Sequence, residues 1–267
     1  METTRPDWLT DDSDTTKPSI ARMYDYFLGG SRHLEIDRAV AAKAVEAAPG
    51  IKILIWENRK FLKRVGRWAA SRGIQQFLDL GSGIPAGGNL HTVVQQLNPS
   101  ARVVYVDIDP VAVARATELL ADDPYAAALQ GDVTEPAAIL ASAPVRELID
   151  FDRPVAVLLL NVLHFVPYAA VEPAVAAFRE VLSPGSALAI THGTGDLAST
   201  DPTGISKVYA EAFGQMTMRD ESAFGTLFGD FELIEPGIVD VPQWRPDSGL
   251  AARMGPVNCY AGVAVRP

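Results

Sequence analysis

An α/β fold built on a doubly wound, mostly parallel sheet is predicted by three features of this sequence. An apolar run, Phe77 to Leu80, breaks into Gly81-Ser-Gly-Ile-Pro-Ala-Gly-Gly88 and resumes as a helical pattern over 89–97. A second run, Val103 to Val106, ends on a carboxylate, Asp107, 24 residues beyond Gly83. From there apolar runs and helical periods alternate as far as Thr191. Short runs that are apolar throughout suit strands buried on both faces, and intervening helices suit parallel crossovers.

The elements follow in order. Residues 1–17 mix Thr, Asp and Pro and predict an unstructured tail, with no basic or apolar segment of a signal peptide. Residues 18–73 read as an N-terminal helical cap. Ser19 can cap a first helix whose apolar stripe is Ile20, Met23, Tyr24, Phe27 and Leu28, closed by Gly29-Gly30. A second helix spans 35–48 and a third 51–72, the latter with Lys60, Lys63, Arg64 and Arg67 on a face expected to be solvated. Residues 74–267 form the sheet domain. Its strands are expected at 76–80, 102–107, 126–131, 154–160 and 185–191, and its helices at 89–97, 110–121, 135–149 and 168–182. Helical patterns near 203–215 and 219–228 precede two strands, 231–238 and 258–265. The link between those two carries Pro242, Pro246 and Pro256 and no helical period, which predicts an antiparallel pair.

Composition narrows the function classes. Of 267 residues 48% are hydrophobic and 21% charged, as in an ordinary soluble globular chain. A net charge of −10 argues against binding nucleic acid or an anionic membrane. One cysteine excludes an intrachain disulfide and fits a cytoplasmic location. The most apolar run, Val155 to Leu163, contains Asn161 and is too short to span a bilayer. Four scattered histidines offer no metal-ligand spacing, and no metal is expected. The oligomeric state is not written in the sequence.

The chemistry gathers at the carboxyl ends of the strands. Gly81 and Gly83 lack a Cβ, so a ligand can lie against the backbone there, beside Ser82. Asp107 suits two ribose hydroxyls, with Ile108 next to it. Asp132, followed by Val133, closes the third strand and suits an exocyclic adenine amine, although a loop aspartate capping a helix reads the same way. Asn161 and His164 fall at the mouth of the site, and Thr191-His192 ends the fifth strand. His164 and His192 are candidate catalysts, as is Tyr24. The turn also satisfies G-x-G-x-x-A, so a dinucleotide and an NAD(P)-dependent oxidoreductase must be weighed. Pro85 removes a backbone donor that a pyrophosphate needs, and Asp79 sets a negative charge close by. Both favour S-adenosylmethionine, which has a ribose, an ammonium and a sulfonium but no phosphate. A non-catalytic nucleoside-binding regulator is the other alternative.

Asp79-Leu-Gly-Ser-Gly83, Val106-Asp-Ile-Asp-Pro110, Gly131-Asp132 and Asn161-Val-Leu-His164 resemble successive motifs of class I S-adenosylmethionine-dependent methyltransferases. From residue 18 the chain resembles, more closely, a bacterial family of these enzymes long described as a domain of unknown function. The shared marks are Ala21 to Gly30, Asn58 to Leu62, Gly83-Ile-Pro85, Leu163 to Pro167 and Tyr260 to Val263, with departures at Ala86 and Thr92. The resemblance implies a Rossmann-like sheet of seven strands in the order 3-2-1-4-5-7-6, the last antiparallel. It implies S-adenosyl-L-methionine as cofactor and S-adenosyl-L-homocysteine as product; it does not supply the methyl acceptor, which is expected to be a small molecule. The cap is expected to close over the cofactor on its Gly29-Gly30 hinge, Arg22 or Tyr26 reaching the methionine carboxylate and Asn58 assisting.

Overall fold

The computed structural model describes residues 6–197, 203–247, 249 and 255–267. Three helices come first: α1 (Ile20–Phe27), α2 (Glu35–Ala47) and α3 (Ile51–Ser71). Then β1 (Gln76–Leu80), α4 (Leu90–Gln95), β2 (Arg102–Asp107), α5 (Pro110–Leu119) and β3 (Ala126–Gln130) build one half of the sheet. The other half follows as α6 (Pro136–Ala141), α7 (Ala143–Leu148), β4 (Ala156–Leu160), α8 (Tyr168–Val181) and β5 (Ala187–Gly193). The chain ends through α9 (Thr203–Phe213), α10 (Glu221–Gly225), β6 (Glu232–Leu233), β7 (Val239–Asp240) and β8 (Cys259–Val265).

Sheet order is β3-β2-β1-β4-β5-β8-β6, with β7 also paired to β8. The first five strands are parallel, and β8 runs antiparallel to β5 from Ala187↔Val265 to Gly193↔Cys259. The predicted order therefore holds, but the sheet has eight strands. The expected sixth strand, 231–238, stops at Leu233 because Pro236 cannot donate to a ladder and Gly237 turns back with φ +82°. The chain rejoins β8 at Val239. Similarly, the expected helix 135–149 is two helices that meet at the extended Ser142, since Pro144 cannot continue the first.

Alternation along the strands divides the core. Phe77, Val103, Leu158 and Val263 face α3, meeting Phe61, Val65 and Trp68. Leu78, Val104, Leu159 and Leu188 face the opposite layer with Val171, Phe178 and Phe228. Each such side chain stabilises the fold by about 1.5–3 kcal/mol on burial. The helix α3 is thus one wall of the sheet's core. A second, smaller cluster joins α1 and α2 to the start of α3 and to α9 through Met23, Phe27, Ala41, Ala44, Ile55 and Tyr209.

Two further expectations change. Arg64, assigned to a solvated face, is 4% exposed, donates to Val241 O at 2.7 Å and lies 4.0 Å from Glu57. The register of α3 turns it under the 241–244 segment, where Trp244 is fully buried edge-on to Phe61 and Trp68. Of the expected tail, residues 1–5 lie outside the described residues. Trp8 and Leu9 pack against Ala21, Ile84, Val111 and Ala112, so apolar contacts hold this stretch where composition alone suggested none. No described helix is long and apolar enough to cross a membrane.

Candidate functional site at the strand ends

A cleft of about 870 Å³ opens at the carboxyl ends of β1, β2, β3 and β4. Its floor is the turn after β1. Gly81 and Gly83 have φ of +75° and +68°, the left-handed region that costs glycine nothing. A Cβ on Gly81 would sit 1.9 Å from Val162 Cγ2, whereas one on Gly83 would meet nothing within 4 Å. The space in front of Gly83 is therefore room for a ligand.

Four of the turn's backbone donors are already used. Gly81 N and Ser82 N donate to Val106 O at 2.8 and 3.1 Å, and Gly83 N to Asp107 Oδ2 at 2.7 Å. Ala86 N donates to Asn89 Oδ1, and Pro85 has no N–H. A pyrophosphate would find few of the amides it requires, so the oxidoreductase reading gains nothing from the structure.

Carboxylates set the electrostatics. Asp79, only 2% exposed, lines the cleft, and among the described residues its carboxylate accepts no hydrogen bond. Burial lifts its pKa to about 7, with the Arg59 cation opposing and Asp107 reinforcing the shift. Asp107 is raised to about 6 by burial, against the amides of Asp109 and Gly83 that it accepts at 2.9 and 2.7 Å. Each of its oxygens keeps a lone pair for a further donor. Asp132 also lines the cleft, its Oδ1 accepting from Thr134 N and Oγ1, both at 2.8 Å. It closes a turn rather than capping α6, whose N-cap is Glu135. Val133 and Ile108 lie alongside, and Ile108 is 64% exposed, an apolar surface left open at the cleft.

The N-terminal segment roofs this space, with Ser13, Lys17 and Ser19 in its lining. Ser19 caps α1 through Arg22 N at 3.2 Å and bonds to Asp109, which itself caps α5. Arg22 lines the cleft, but its Nε and Nη2 are held by Asp37 at 2.7 and 3.1 Å, leaving Nη1 with no hydrogen bond among the described residues. Tyr26 does not reach the cleft. The segment before α2 covers its face of α1, and its ring stands edge-on to His33 at 4.9 Å. The Gly29-Gly30 hinge is a packed turn: Gly30 N donates to Asp25 O at 2.8 Å, and a Cβ on Gly30 would lie 2.1 Å from Asp25 Oδ1.

Asn58 is buried and joins the cap to the sheet. Its Nδ2 donates to the Tyr24 hydroxyl at 3.0 Å and its Oδ1 accepts from Thr191 Oγ1 at 2.8 Å. Arg59, which the helical pattern did not single out, is 8% exposed in the cleft wall. It donates from Nη2 to Ala86 O at 3.1 Å and Asn89 Oδ1 at 2.5 Å, while its buried Nε has no partner. Its place beside Asn58, one turn before Leu62 on the same wall, was the available signal.

Asn161 ends β4 with φ +59°, strain that clusters at functional positions. Its N–H donates to Thr191 Oγ1 at 2.9 Å and its Oδ1 accepts from Cys259 Sγ at 3.3 Å. The candidate catalysts fare less well. His192 lines no described cavity. It donates from Nδ1 to Gly193 O at 2.8 Å and accepts Arg219 Nη1 at 2.9 Å, with its pKa pushed to about 4 by burial. His164 accepts Gly193 N at 3.4 Å, and burial, then His192, hold it well below 6.5. The Tyr24 hydroxyl donates to Ile55 O at 3.3 Å and burial raises it to about 12. All three are uncharged at neutral pH, and the acceptor nitrogens of His164 and His192 and the Tyr24 hydroxyl are already engaged in hydrogen bonds.

A family profile described as S-adenosyl methyltransferase matches residues 6–267. A candidate methyltransferase from Thermobifida fusca YX is 42% identical, with 95% of this chain and 96% of that chain aligned and a TM-score of 0.91. A DUF574 family protein from Streptomyces avermitilis MA-4680 is 34% identical, covering 95% and 99%, at a TM-score of 0.89. The N-methyltransferase NodS from Bradyrhizobium japonicum WM9, solved with S-adenosyl-L-homocysteine, shares the fold at 17% identity, 92% and 99% coverage and a TM-score of 0.52. No curated protein matches.

Proposed function

This chain belongs to the S-adenosyl methyltransferase family and is an S-adenosylmethionine-dependent enzyme, and from that premise we propose that the strand-end cleft holds the cofactor and that the acceptor is a small molecule. The unpartnered, buried Asp79 carboxylate carries the reading, because a group lifted to about 7 and aimed into a cleft is matched by an ammonium. The cofactor supplies an activated methyl group when bound.

The residues divide the ligand between them. Asp79 takes the ammonium, and Gly81, Ser82 and Gly83 form the surface beneath the methionine part. Arg22 through Nη1, and Arg59, stand ready for the carboxylate. Asp107 accepts from the ribose, Ile108 and Val133 flank the adenine, and Asp132 accepts from its amine. Asn58 and Asn161 fix the wall at the far end, where Tyr24 stands. With the polar atoms of that wall already hydrogen-bonded to one another, the site contributes alignment and exclusion of water. A polymer of phosphates is a poor acceptor for a cleft lined by six aspartates, which favours a small molecule.

Thermal denaturation tests the reading. S-adenosylhomocysteine at about 100 times its dissociation constant should stabilise the protein by about 2.7 kcal/mol, and NAD should not. Calorimetry showing tight NAD binding with none of S-adenosylhomocysteine would overturn it.

A further inference from the structure

Beyond Tyr24 lies a second cavity, of about 740 Å³. It shares Ile20, Tyr24, Asn161 and Phe165 with the cleft, so the two spaces adjoin at these residues. Much of its remaining surface is apolar, from Phe27 of α1, Ile51 and Leu54 of α3, Ile205 of α9 and Met216 and Met218 beyond, with His164, Thr194 and Asn258 as polar groups. None of its described lining residues is charged, whereas the cleft carries nine charged side chains. Phe165 and Tyr209, 5.4 Å apart, form an aromatic pair on one side of the space.

We infer that this cavity is the acceptor site and that it takes an uncharged, largely aromatic small molecule, with the transferred methyl crossing at the Tyr24–Asn161 wall. The inference rests on the cofactor assignment of the neighbouring cleft. A charged acceptor would lose its hydration here without gaining a counter-ion. The volume suits a molecule of drug size, and flat apolar groups gain most against aromatic and thioether walls. The lining offers no free proton acceptor at these two residues, because His164 Nδ1 accepts Gly193 N and the Tyr24 hydroxyl lies between Asn58 Nδ2 and Ile55 O. The acceptor atom therefore brings its own lone pair to the new carbon bond. The pair of the broken carbon–sulfur bond stays on sulfur as a thioether, and a proton carried by the acceptor atom leaves to water.

The test is a binding measurement with N-phenyl-1-naphthylamine, a neutral aromatic fluorophore, against its anionic relative 1-anilinonaphthalene-8-sulfonate. The neutral probe should bind at least tenfold more tightly, and saturating S-adenosylhomocysteine should not displace it. Ile205→Trp and Met216→Glu should each weaken the probe at least tenfold while S-adenosylhomocysteine still raises the melting temperature, which certifies the fold and the cleft. Equal affinity for the two probes, displacement by S-adenosylhomocysteine, or probe affinity unchanged in a variant that still binds S-adenosylhomocysteine overturns the inference. Failure of the parent protein to bind S-adenosylhomocysteine at all overturns the cofactor assignment instead.

Discussion

The strand-end cleft presents six aspartates, three basic side chains and glycine backbone, while the cavity behind Tyr24 presents aromatic rings, thioethers and aliphatic carbon. Their construction differs as much as their chemistry. The floor of the cleft is assembled from consecutive strand ends, which place Asp79, Asp107 and Asp132, under a roof and wall from the N-terminal segment, α1 and α3. The second cavity draws on α1, α3, α9 and the 256–258 segment, which meet only because the smaller cluster of Met23, Phe27, Ile205 and Tyr209 has formed. A polar ligand with fixed functional groups needs directional partners, which rigid strand ends supply well. An apolar ligand needs volume and exclusion of water, which packed helices supply with little constraint on residue type.

If the cleft is the directional site, changes there should be costly and specific. The largest effect is expected from Gly83→Leu, whose side chain would occupy the ligand's space from a backbone at φ +68°. S-adenosylhomocysteine affinity by calorimetry should fall by at least roughly 100-fold, a loss of about 2.8 kcal/mol. The left-handed strain itself costs only about 1–2 kcal/mol, so the protein should remain folded. Asp107→Ala comes next, removing charge-assisted acceptors, for about 1.5–3 kcal/mol of binding. Affinity equal to the parent's would remove Asp107 from the ribose.

Proton linkage gives an intermediate effect. With Asp79 raised to about 7 in the folded protein and near its ordinary value when unfolded, the native state holds a proton that the unfolded chain has lost. Stability without ligand should therefore decline as pH rises from about 4 to 7. The ligand's ammonium prefers the ionised form, so S-adenosylhomocysteine should bind more tightly as pH rises towards 8, by up to about tenfold per unit below 7. Asp107, near 6, acts in the same direction. Asp79→Asn should bind more weakly and flatten much of the dependence; a profile as steep as the parent's would point to another group. The smallest effect is expected from Tyr26→Phe, because the ring stands on His33 outside the cleft. A change in affinity of more than about twofold, roughly 0.4 kcal/mol, would return Tyr26 to the site.

The sequence by itself determined the sheet and the cleft floor. Periodicity is local, so Phe77 to Leu80, the glycine turn and the carboxylate at Asp107 are adjacent in sequence to the features that give them meaning. The same locality explains what it missed. That Pro236 divides a strand, or Pro144 a helix, was visible in residue type, but which hydrogen bonds would be lost depended on β8 and on α6. Arg22 and Tyr26, spaced by one helical turn, looked equivalent; only the fold placed Asp37 against one and His33 against the other. Arg59 and Arg64 were two more basic residues on a helix until one came to face Asp79 and the other Val241. The second cavity had no sequence signature, because its walls are ordinary apolar residues brought together over more than 230 positions, from Ile20 to Asn258. A periodic pattern shows that such a face will be buried; only tertiary packing decides whether what it is buried against leaves a space.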